Sequence, residues 1–223
     1  MNAEEVLKEL RKFYSKKNIE GMNRFAIPGE IGVSVTQMRL IAKATGKNHN
    51  LALDLWKTKI HEARILASIV DEPEKVSEKQ MEQWVKDFKS WDLCDQVCSN
   101  VFDKTPWAYN KVFEWVKREE EFVKRAGFVL MVCLSVHDKR ADDKKFLEFF
   151  PIIIQEATDE RNFVRKAVNW ALRGIGKRNK ALNKEAIKVA KKIEKIDSKS
   201  ARWIAKDALR ELQSENVQKR LKN

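Results

Sequence analysis

The chain repeats itself, and that constrains its fold more than any other feature. Phe122-Val123-Lys124-Arg125-Ala126 returns 41 residues later as Phe163-Val164-Arg165-Lys166-Ala167. Ala171-Leu172-Arg173 returns after 37 more residues as Ala208-Leu209-Arg210, with Arg165 and Arg202 in that same register. Glu62-Ala63-Arg64 opens a similar stretch earlier in the chain. A unit of this length cannot bury its apolar side alone, so successive units must stack, and such a stack curves into a concave surface. Within each unit the apolar residues follow a helical period. A globular helical bundle would show the same period, and periodicity alone leaves that alternative open.

The remaining signals agree on helix. Only 7 Gly and 4 Pro occur in 223 residues, too few for many strands joined by tight turns. Ala, Leu, Lys and Glu dominate, and these are helix formers. Val6, Leu7, Leu10 and Phe13-Tyr14 form a first apolar stripe, followed by an irregular stretch from Gly21 to Gly32. Helical patterns then cover 36–44 and a single run over 50–70 that Glu72-Pro73 stops; Ser77 with Gln80 reads as a capping box for the next helix. Further helices are predicted over 90–102, 107–118, 120–136, 143–157, 161–177, 183–195 and 200–213. The expectation is an all-α chain in which residues 1–223 form a single domain of HEAT-like repeats, a solenoid of roughly six helix pairs.

Charge points to a partner class. The formal net charge is +12, and it is unevenly spread. Residues 161–223 hold 19 basic and 6 acidic side chains, a surplus of 13; the first 160 hold the other 26 and 27, a net of −1. A concentrated basic segment suits a polyanion such as nucleic acid, lying here in a concave basic groove, although a solvated lysine-rich face would have the same composition. Other classes are disfavoured. Cys94, Cys98 and Cys133 give neither a disulfide framework nor a zinc signature, and His49, His61 and His137 form no metal motif. No apolar run reaches 18 residues and no secretory leader pattern is present, so a cytoplasmic protein with no membrane span and no cofactor is expected.

Ser90-Trp91-Asp92-Leu93-Cys94-Asp95 is the most informative stretch. Trp91 and Asp95 are four residues apart, so a helix places them on one face, where a ring and a carboxylate could meet one ligand. Asp92 would sit near the helix start, where the macrodipole favours an anion. On spacing alone, Trp91 in the core and Asp95 as a cap or surface ion is the plainer reading. Trp170 and Arg125 both fall inside the repeated segment, where a core aromatic and a surface charge are again the plainer reading. Seven Trp in one chain is many, however, and an amphipathic ring can line a groove.

Three segments together resemble the AlkD-type DNA alkylation repair glycosylases. These are Lys89 to Val97, Val123-Lys124-Arg125-Ala126, and Lys166-Ala167-Val168-Asn169-Trp170-Ala171-Leu172-Arg173, in the family's order and with similar spacing. The family pattern has a Trp followed four residues later by a catalytic Asp, matching Trp91 and Asp95; an Arg before small and aliphatic residues, matching Arg125; and a second Trp, matching Trp170. The resemblance implies hydrolysis of the N-glycosidic bond of cationic purines, N3-alkyladenine and N7-alkylguanine, with Asp95, Trp91 and Trp170 as catalytic residues. It also implies that Arg125, Arg165, Lys166 and Arg173 touch DNA, and that the partner of a monomeric protein is double-stranded DNA containing alkylated bases. Two departures stand out. An insertion falls near His137 to Lys145, and Phe25 stands where the family has a Tyr that touches the DNA backbone. A non-catalytic protein binding distorted or branched DNA, and a protein-interaction scaffold, remain the alternatives; retention of Asp95 weighs against the first.

Overall fold

The structure is a computed structural model and describes residues 1–221. The chain forms two compact units, one spanning Met1–Ala108 and one beginning at Tyr109. All regular secondary structure among the described residues is helical.

The first unit holds α1 (Ala3–Arg11), α2 (Lys16–Asn23), α3 (Val35–Thr45), α4 (His49–Lys57), α5 (His61–Val70), α6 (Glu78–Lys86) and α7 (Trp91–Asn100). Helix α5 packs between α3 and α7, and α4 backs it. Leu55, Leu66, Met81 and Val85 are fully buried in its core, where Trp56 and Trp84 stack in parallel planes with ring centroids 3.9 Å apart. Burial of each such side chain stabilises the fold by about 1.5–3 kcal/mol.

The second unit holds α8 (Ala108–Trp115), α9 (Glu121–His137), α10 (Asp143–Leu147), α11 (Phe150–Gln155), α12 (Asn162–Gly176), α13 (Lys180–Glu194), α14 (Lys199–Leu212) and α15 (Glu215–Gln218). Helices α9, α12 and α14 pack side by side in one row, while α10, α11 and α13 form a second row behind them. The repeated segments therefore fall on equivalent helices: 122–126 opens α9, 163–167 opens α12, and 171–173 and 208–210 lie on α12 and α14. Close packing requires small residues at contacts. A side chain on Gly127 of α9 would come within 2.7 Å of Val116 Cγ1 and 2.9 Å of its backbone nitrogen.

Several local expectations need correction. The run over 50–70 is two helices, broken at Thr58–Ile60, where Lys59 takes a left-handed φ of 63°. No Gly or Pro marks the break, and α5 restarts because the Glu30 carboxylate accepts the His61 N–H at 3.2 Å. The run over 143–157 divides into α10 and α11, with Pro151 at the start of α11, a favourable place for a residue without an N–H. Gly21 lies inside α2, so the irregular stretch begins at 24. Phe13 and Tyr14 are exposed, whereas Val6 and Leu10 are buried. Ser77 caps α6 by accepting the Gln80 N–H, but the Gln80 side chain turns instead to Asp71 at 2.7 Å, so the reciprocal half of the box is missing. The stretch near 137–145, where an insertion is expected, contains the α9–α10 connection, held by Arg178, which donates to the Ser135 and Ala141 carbonyls.

Candidate nucleic-acid interface

Residues 24–34 form an irregular loop that is fixed by one side chain of α5. Glu62 is fully buried, and its Oε1 accepts the backbone N–H groups of Glu30, Ile31 and Gly32 at 3.1, 2.9 and 2.7 Å. A buried carboxylate is costly unless it is hydrogen-bonded, and this nest supplies the bonds from the loop itself. Gly32 is needed there: it has φ 78°, and a Cβ would lie 2.4 Å from the Ser15 carbonyl oxygen.

The loop in turn holds Trp91. The indole Nε1 of Trp91 donates to the Phe25 carbonyl at 3.0 Å, and the Phe25 ring itself is 66% exposed. Trp91 is half-buried at the first position of α7. Asp95 is also half-buried, one turn further along the same uninterrupted helix, so the two side chains share a face as their spacing predicts. Asp92 does sit in the first turn of α7, and it has a further role: its Oδ2 lies 2.8 Å from Nε2 of the buried His61. Burial pushes the Asp92 carboxyl upward, but the hydrogen bond and charge of His61, aided by hydrogen bonds from Ser90 and the Leu93 amide, leave it below the usual carboxylate value.

In the second unit, four of the sequence-predicted residues come together. Arg125, Lys166, Trp170 and Arg173 line one shallow depression of about 370 Å3, with Asn169, Trp203 and Asp207. Arg125 is 5% exposed, not the surface charge its sequence context suggested, and donates to the Phe163 carbonyl at 2.7 Å. The guanidinium of Arg165 lies over the Trp203 ring, 4.8 Å from its centroid, a cation–π arrangement. Arg173 is bound by the Glu211 carboxylate and lies 3.5 Å from Asp207; Lys177 meets the other Glu211 oxygen at 2.6 Å. Burial pushes the Glu211 carboxyl up, yet Lys177 and Arg173 together bring it below its usual value. Lys166 is exposed.

Trp203, Asp207 and Glu211 were not singled out in the sequence. Trp203 was within reach: the 37-residue register that pairs Arg165 with Arg202 also pairs Lys166 with Trp203. A second feature concerns helix starts. Most helices are capped, as where Asn179 accepts the Leu182 N–H at 2.8 Å. Helices α7, α9 and α12, which carry Trp91, Arg125 and Trp170, begin without a side-chain cap bond.

Comparison with known proteins identifies the family. The sequence profile of the DNA alkylation repair enzyme family matches residues 6–212. The chain belongs to that family. Among solved structures, this DNA alkylation repair family member is similar to a protein described as one of "a new family of proteins related to the HEAT-like repeat DNA glycosylases with affinity for branched DNA structures". The TM-score is 0.79 at 20% identity, over 95% of each chain, and the fold is therefore the HEAT-like repeat fold. No curated protein sequence matches this family member significantly. Among its described residues no helix is long and apolar enough to cross a membrane, and no group of three His, Cys, Asp or Glu could hold a metal ion.

Proposed function

We propose that the protein hydrolyses the N-glycosidic bond of cationic alkylated purines in double-stranded DNA, with Asp95 as the catalytic carboxylate. The observation that carries this reading is the Trp91–Asp95 pair on one face of α7, in a member of a DNA alkylation repair family. An N3-alkyladenine or N7-alkylguanine base already bears a positive charge. As the bond from C1′ to the base nitrogen breaks, its electron pair leaves with the base and neutralises that charge, so no general acid is needed. Positive charge develops on the deoxyribose. The Asp95 carboxylate opposes it and accepts a hydrogen bond from the water that adds to C1′, the water's proton passing to solvent.

In this reading the faces of Trp91 and Trp170 contact the cationic nucleotide and its sugar. Arg125, Arg165, Lys166 and Arg173 contact phosphates. The protein works as a cytoplasmic monomer without a cofactor, residues 1–223 serving as one repeat domain.

The deciding experiment measures release of N7-methylguanine and N3-methyladenine from methylated duplex DNA, alongside DNA affinity, for the wild type and Asp95→Asn. The expected result is wild-type release and a ~10²–10³-fold loss in the variant, the usual cost of removing one well-placed electrostatic group, with affinity kept or raised. Neutral lesions such as uracil should be poor substrates throughout. A second reading has a specific support, because the similar solved structure is of a protein with affinity for branched DNA. Under it, the wild type would release no methylated base and would bind a four-way junction in preference to duplex.

A further inference from the structure

The depression in the second unit holds only part of that unit's excess charge. Arg173 faces Glu211 and Asp207, and Arg210 is also bound to Asp207. A dense share of it lies on α13, in the other row of helices, where residues 180–195 hold six lysines against two glutamates. Between 180 and 195, Lys180, Lys184, Lys188, Lys191, Lys192 and Lys195 are all exposed. Residues on an α-helix advance by about 100° each, so these six fall within an arc of about 120°. The opposite side of α13, with Leu182, Ala186, Ala190 and Ile193, is buried. The acidic residues of this helix are Glu185 and Glu194, and Glu185 pairs with Lys188 at 2.7 Å. Four of the lysines also line a shallow groove of about 620 Å3 beside Gln213 and Gln218.

This arrangement is a ladder. A rise of 1.5 Å per residue spreads it over ~22 Å, with a lysine every turn, and its length spans about six phosphates of one strand of a duplex at 3.4 Å per phosphate. The residues lining the depression come from α9, α12 and α14, and none comes from α13. A duplex held at the depression would leave the ladder with no phosphates to neutralise.

We propose that the lysine face of α13 is a second DNA-binding surface, which takes the backbone of another duplex segment while the first occupies the interface described above. Recognition there is by phosphate charge alone and is independent of sequence and lesion. Two segments held by one protein would favour crossed or branched DNA over a single duplex. The inference rests on the DNA-binding part of the proposed function, and does not depend on Asp95 being catalytic.

The test uses the full chain with two short duplexes carrying different fluorophores, and reads energy transfer between them together with stoichiometry by sedimentation. The probe variant is Lys184→Gln/Lys188→Gln/Lys191→Gln/Lys195→Gln. A charge-matched control replaces Lys8, Lys12, Lys43 and Lys57, which are exposed in the first unit. The wild type and the control should bridge two duplexes. The probe variant should bind one duplex with undiminished affinity, lose the bridging signal, and shed about 3–4 from the salt slope of second-duplex binding, at ~0.9 per phosphate contact. Its melting temperature should be almost unchanged, because these lysines are exposed and the Lys188–Glu185 pair is a solvated surface contact. A wild type that binds only one duplex, a probe variant that still bridges, or preferential capture of acidic peptides or anionic vesicles by the lysine face would overturn the inference. Failure to bind even the first duplex would instead count against the proposed function.

Discussion

Each unit is held together internally by bonds that reach from one repeat to the next, but the two use different chemistry. In the first unit the acceptors are carboxylates and the donors are mostly neutral in charge or titratable. Glu62 takes backbone amides about 31 residues away, Trp56 donates to Asp87 across 31 residues, and His61 meets Asp92 across 31. In the second unit the reach is 38 residues and arginine dominates: Arg125 to the Phe163 carbonyl and Arg173 to Glu211, with Asn169 to Asp207 between them. The first unit uses its carboxylates to fix the loop backbone and neighbouring side chains around Trp91 and Asp95. The second unit holds its cations by partners that a phosphate could replace.

The sharpest break of this comparison sets Asp95→Asn against Arg125→Met. The first should cost ~10²–10³ in base release with little change in stability. The second should lower affinity and stability together, because Arg125 is buried and its loss leaves the Phe163 carbonyl without this donor, at about 1–3 kcal/mol. Kinetics and denaturant melts of both variants check it, and the same profile for both would erase the contrast.

Glu62→Ala probes the fixed loop. Three amides, two of them buried, lose their acceptor, so stability should fall by ~3 kcal/mol. Amide exchange should rise at Glu30, Ile31 and Gly32 first, and Glu62→Gln should restore part of the loss. Unchanged exchange at those three positions would remove the nest from the account.

The His61–Asp92 pair adds a pH dependence. A carboxyl held below its ordinary value contributes stability that is complete above that ordinary value and is lost as pH falls through the lowered one. In acid titrations Asp92→Asn should therefore lower stability at neutral pH and flatten its fall below pH ~4. A wild-type slope in the variant would assign the acid sensitivity elsewhere.

Glu211→Gln should have the smallest effect and the opposite sign. It frees Arg173 and Lys177 from their shared carboxylate, so duplex affinity should rise a few-fold, with less than about 1 kcal/mol lost in stability since the pair is partly solvated. Weaker DNA binding would mean that the depression does not face phosphate.

Much of this was present in the one-dimensional pattern. The all-helical content, the repeat register and the common face of Trp91 and Asp95 follow from spacings of 37–41 and of 4 residues, which any helix preserves. Local chemistry also marked the start of α11 at Pro151, a signal that the continuous apolar period masked. The break at Lys59 carried no such mark, since it depends on Glu30 reaching the His61 amide across 31 residues. The sequence by itself determined the helices, their period, and the end of the chain that carries the positive charge. Only the tertiary structure decided which charges are cancelled and which remain outward. Charge pairing depends on distance, and partners such as Arg173 and Glu211 meet only when one repeat is stacked on the next. The same stacking buried one side of α13 and left its lysines together in solvent.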